Sequence, residues 1–89
     1  MAQLIHEHQM HLRTPEGLGY VARTYAAPND DGMWEAWLRF HPTDGDGPGL
    51  ETDRETSQSS RAAVEGWALG LEGAYLQGAF ARAHLIRSS

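Results

Sequence analysis

The sequence predicts an α+β domain in which strands come first and helices follow. Residues 19 to 56 alternate with period two, whereas residues 57 to 87 carry apolar side chains at helical spacing. Turn-forming clusters punctuate the first part, and a run of cap-forming hydroxyls introduces the second.

The stretch from Met1 to Leu18 contains an alternating patch from Leu4 to Leu12 and a turn signal at Thr14-Pro15-Glu16-Gly17. It reads as an arm or an edge strand. Gly19 to Ala26 is rich in β-branched and aromatic residues and ends at Pro28-Asn-Asp-Asp-Gly32, which is hairpin-turn chemistry. Met33 to His41 then alternates strictly. Trp34, Ala36, Leu38 and Phe40 share one side, and Met33, Glu35, Trp37, Arg39 and His41 share the other.

A hairpin loop of Pro28 to Asp31 sets Tyr25 against Trp34, Arg23 against Ala36 and Val21 against Leu38 on the covered face. Tyr20, Ala22 and Thr24 then share the open face with Arg39, Trp37 and Glu35. Thr43 to Gly49 is a connector, and Leu50 to Thr56 is a third strand.

Ser57-Gln-Ser-Ser60 supplies N-cap hydroxyls, so a helix begins in that stretch. At 100° per residue, Val64, Trp67, Ala68, Leu71, Ala74 and Tyr75 form one stripe, while Leu69, Leu76 and Phe80 fall elsewhere. Gly66, Gly70 and Gly73 each cost about 0.8–1 kcal/mol relative to Ala within a helix, and the apolar face turns between the last two. A break near Gly70 to Gly73 therefore divides the segment into helices at residues 58–69 and 72–85. The fold expected is an antiparallel meander of three strands, or four if the N-terminal segment joins, with the C-terminal helices packed on one sheet face and Trp67 near Trp34. Residues 1–18 form the arm or edge strand and residues 19–87 a single domain.

Composition limits the function classes. A chain of 89 residues buries only roughly 60–65% of its unfolded surface, so association would add to its stability. With no cysteine, disulfides and thiolate metal sites are excluded, and a reducing cytoplasm is the expected compartment. No apolar run approaches the ~20 residues of a bilayer span, so no membrane association is expected. All seven cations are arginine against twelve carboxylates, a net charge of −5, and the arginines are scattered. Direct nucleic-acid binding is not expected of such a chain, because duplex affinity depends on neutralising phosphates.

His6 and His8 are the weak metal candidates, since side chains two apart on a strand project from one face. His11 points to the opposite side of such a strand, so a third ligand is missing, and histidines on a solvated arm are the simpler reading. Asp44-Gly-Asp-Gly-Pro-Gly49 followed by Glu55 partly matches a calcium loop, but Pro48 brings no ligand and Glu51 stands where an apolar anchor belongs. Ser57, Ser59 and Ser60 are better explained as caps than as nucleophiles, and no His or carboxylate pair is placed to activate one. No enzyme activity and no cofactor are expected.

Trp37 alternates away from the core, and Trp, Tyr and Arg carry much of the energy at interaction surfaces. Trp37, Tyr20, Glu35 and Arg39 are therefore the candidate partner-binding residues. The alternative is that the N-terminal segment folds over Trp37.

Gly32-Met-Trp-Glu-Ala-Trp37, Arg54-Glu-Thr-Ser-Gln58, Trp67, Gly70-Leu-Glu72 and Tyr75-Leu-Gln-Gly-Ala-Phe-Ala-Arg-Ala83 resemble the pattern of a family of short bacterial proteins without an assigned activity. Strands followed by a helix after a Gly-x-Trp hairpin are also similar to HicB-type antitoxins, which bind and neutralise a toxin RNase. The Pro-Gly-Cys connector of that family is absent, so the likeness concerns shape. The function expected is a small non-catalytic module binding a protein partner, or itself as a homodimer, through an open sheet face. An antitoxin-like inhibitor of a basic nucleic-acid-binding cleft, and a small metal-binding or hydrolytic protein using His6 and His8, are the alternatives.

Overall fold

Alternation in the N-terminal half builds three long strands, β1 (Gln3–Arg13), β2 (Gly19–Pro28) and β3 (Trp34–Pro42), joined as an antiparallel meander in a computed structural model. The structure describes residues 1–45 and 47–86. Among these, short strands β4 (Leu50–Glu51), β5 (Thr56–Gln58) and β6 (His84–Leu85) extend the sheet, and α1 (Arg61–Leu69) and α2 (Gly73–Arg82) pack on one face. The sheet order is β1-β2-β3-β4-β6, with β5 also paired to β3.

The N-terminal segment is thus an edge strand rather than an arm. Thr14 and Gly17 close its hairpin: Gly17 N–H donates to Thr14 O, Leu18 N–H to Thr14 Oγ1, and Gly17 has φ +92°. Register shifts between Leu4 and His6, and between Glu7 and His11, bulge this edge and interrupt its ladder.

The β2–β3 hairpin corrects the expected register. Its loop runs from Asn29 to Met33, with Asn29 Oδ1 accepting from Asp31 N–H and Met33 N–H and Gly32 at φ +81°. Tyr25 consequently faces Trp37 rather than Trp34. An odd shift inverts the β2 face, so Tyr20, Ala22, Thr24 and Ala26 line the core while Val21, Arg23 and Tyr25 turn outward. The β3 phase is as expected, with Ala36, Leu38 and Phe40 buried.

The expected third strand is split. Glu51 pairs with Arg39 and Thr56 with Ala36, so residues 52–55 bulge out opposite Trp37 and Leu38. Thr52 holds the excursion: its N–H donates to Leu38 O, and its buried hydroxyl accepts from Leu38 N–H. Because residues 56–58 belong to this strand, α1 starts after Ser60, whose hydroxyl accepts from Ala63 N–H as the N-cap.

The helix breaks at Gly70, where the chain turns before Glu72 takes the N-cap position of α2 without a side-chain capping bond. That break resets the helical phase. Val64 and Ala68 are buried as expected, but α2 buries Leu76 and Ala79 instead of Ala74 and Tyr75. It ends at Arg82 because His84 and Leu85 leave to pair with Glu51 and Leu50.

Two clusters make the core. Leu12, Tyr20, Ala22, Leu38 and Phe40 pack with Leu76 and Ala79 of α2, and the Phe80 ring lies 5.2 Å from Tyr20 and 5.1 Å from Phe40. Ala26, Ala36 and Val64 form the second, with Trp34 and Trp67 both packed against it. Small side chains at Ala22, Thr24, Ala26 and Ala36 let the helix layer approach the sheet closely. The shortest dimension is 19 Å, one sheet plus one helix layer. Among the described residues no element covers the second sheet face.

Candidate functional site

That second face is assembled from alternate residues of four strands. Glu7, Arg23, Arg39 and Glu51 form one cross-strand row, each directly paired in register with the next. Leu4, Tyr25 and Trp37 form the adjoining row, and His11, Val21 and His41 the row on the other side. Glu35 stands beyond Trp37, opposite Ala27 and Ser57.

Ion pairs close both ends of the charged row. Arg23 Nε donates to Glu7 Oε1 at 2.7 Å, and Arg39 Nε to Glu51 Oε1 at 3.2 Å. The Arg39 guanidinium also lies over two rings, 4.6 Å from the Tyr25 centroid and 5.9 Å from that of Trp37. Trp37 is therefore partly shielded by an arginine of its own strand. The N-terminal strand does not fold over it, because β1 pairs on the far side of β2.

His41 reports the electrostatics of this surface. Burial, followed by the charges of Arg23 and Arg39 and opposed by Glu7, pushes its pKa below the ordinary imidazole value. Its Nε2 is buried without a hydrogen-bond partner among the described residues. The direct pairing of Arg23 with Arg39 puts two cations at the face centre, between Glu7 and Glu51, although the chain carries net charge −5.

Of the expected partner-binding residues, Trp37 and Arg39 are brought together here, with Glu35 at the margin. Tyr20 is not among them. It is 2% exposed on the covered face, where its hydroxyl donates to Pro48 O at 2.9 Å. Tyr25 and Arg23 occupy the open positions that the shorter hairpin loop assigned to the covered face. A buried Arg23 in that register would have been an unpaired charge, the signal that could have found the true phase.

The histidine reading also changes. His6 and His8 lie on one face with rings 4.8 Å apart, but His8 is buried and its Nε2 lies 2.7 Å from Thr24 Oγ1. Burial, and then the neighbouring His6, lower the His8 pKa to about 4. These are packed side chains on a strand, not a solvated arm, and His11 points to the other face. Among the described residues no group of three or more His, Asp or Glu is placed to hold a metal ion. In the calcium-like loop, Asp46 lies outside the described residues. Glu55, its last position, is occupied by Tyr75 and by both terminal nitrogens of Arg82, at 2.8 and 3.1 Å.

Among the described residues no pocket is found, and no helix is long and apolar enough to cross a membrane. No family model matches the chain, and neither a curated protein nor a solved structure shows significant similarity to it.

Proposed function

We propose that this chain is a non-catalytic interaction module that binds a protein partner, or a second copy of itself, through the open sheet face. The observation that carries this reading is the grouping of Tyr25, Trp37 and Arg39 on a face left uncovered by the helices. Trp, Tyr and Arg in contact, ringed by charged residues, have the composition of a binding hot spot. The core clusters form without them, and they stay half-buried on the open face, where a partner would complete their burial. A protein suits this surface better than nucleic acid, because Glu7 and Glu51 flank Arg23 and Arg39 on both sides, so an extended phosphate backbone crossing the row would meet carboxylates as well as cations. The absence of cysteine supports a reducing compartment such as the cytoplasm.

Trp37→Ser tests the reading. The variant is expected to keep its fold, by circular dichroism and thermal melting, while association measured by sedimentation and by co-purification from the native cell falls. Unfolding of Trp37→Ser, or unchanged association, would overturn it.

A further inference from the structure

We infer that the occupant of the open face is an acidic segment of another protein, whose carboxylates enter between Arg23 and Arg39 while an apolar side chain rests on Tyr25 and Trp37. This inference rests on the interaction reading above and adds the chemistry of the partner. Arg23 and Arg39 stand directly opposite each other on the two central strands, an arrangement of like charges that costs stability within the chain. Each gives Nε to an outer carboxylate, Glu7 or Glu51. Among the described residues the terminal nitrogens of both guanidiniums make no hydrogen bond to a carboxylate. Arg82, by contrast, spends both terminal nitrogens on Glu55.

Arg23 also meets the Tyr25 side chain, but the terminal nitrogens of the two central arginines have no carboxylate partner among the described residues, and a guanidinium fork is suited to one. Their side chains are 32% and 29% exposed, enough for contact and low enough for the charge to be felt. A second copy fits this row less well. In a centred two-fold stacking of the faces, the − + + − order of Glu7, Arg23, Arg39 and Glu51 sets like charge on like. A foreign acidic strand or loop meets the central positive pair without that conflict.

Three short synthetic peptides test the inference by fluorescence anisotropy with the full chain: one rich in glutamate around a central leucine, its glutamine counterpart and its lysine counterpart. The glutamate peptide is expected to bind at least about tenfold more tightly than the glutamine peptide, with affinity falling as salt rises. Arg23→Gln combined with Arg39→Gln should abolish that preference, and Arg61→Gln, on α1, should not. Both variants are first checked for an unchanged melting profile; if the double variant does not fold, Arg39→Lys, which keeps the charge but loses the fork, should weaken binding of the glutamate peptide. Absence of glutamate-peptide binding, equal binding of the glutamine or lysine peptide, or retention in the arginine variants would overturn the acidic partner. Self-association of the chain abolished by the same arginine changes would overturn it in favour of a second copy. Loss of association in Trp37→Ser alongside any of these failures would leave the interaction surface standing and remove only its acidic partner.

Discussion

Arg39 lies over the ring of Tyr25 on the neighbouring strand, 4.6 Å from its centroid, and ties the aromatic row of the open face to the charged row. The contact joins β2 to β3 through side chains that the core does not use. Cation–π pairs at partly exposed sites contribute about 0.5–1 kcal/mol, so Arg39→Ala should lower stability only slightly. A chemical denaturation curve checks this; a loss of several kcal/mol would make the face structural.

Phe40 should behave oppositely. It is fully buried with its ring 5.1 Å from that of Phe80, and truncation opens a cavity that a chain this small cannot easily close. Phe40→Ala is expected to cost about 3–5 kcal/mol and to leave little folded protein at ambient temperature, measured by equilibrium unfolding.

The burial of His8, beside His6, makes stability depend on pH. The folded chain holds His8 at a pKa of about 4, below the ordinary 6.5, so the unfolded chain takes up a proton that the folded one refuses. Stability is full above pH 6.5 and declines as pH falls toward 4, by up to about 3 kcal/mol from this group. His8→Gln should flatten that part of the urea-unfolding profile between pH 6.5 and 4.

The α2 anchor responds at lower pH. Glu55 accepts from Arg82 and Tyr75 with its side chain only 5% exposed, and the Arg82 hydrogen bonds hold its pKa below the usual carboxylate value. Its contribution is present above that usual value and is lost as pH falls through the depressed one. Glu55→Ala should cost about 1–3 kcal/mol at neutral pH, since it strips partners from Arg82 and Tyr75. Tyr75 fluorescence and thermal melting at neutral pH follow the loss.

Legibility varied with how local the determining contact is. β3 is readable because Trp34 to Phe40 alternates without interruption, and the α1–α2 break is readable because Gly70 and Gly73 carry a helix penalty. The β2 face is not, since one residue of loop length inverts it and Asn29 can cap loops of several lengths. The split of the third strand depends on Thr52 bonding to Leu38, and the α2 phase on Phe80 meeting Tyr20 and Phe40, contacts between residues far apart in sequence. Trp37 on the open face is legible from alternation alone, whereas the Glu7-Arg23-Arg39-Glu51 row requires the register of four strands.

Hydroxyl-radical footprinting with mass spectrometry tests the open face as a partner surface most directly. Trp37 and Tyr25 should be oxidised in the dilute purified chain and protected in the assembly formed in the native cell, while Tyr75, on the helix side, reacts equally in both. Equal oxidation of Trp37 in the two states, with protection confined to the helix side, would contradict the assignment of this face.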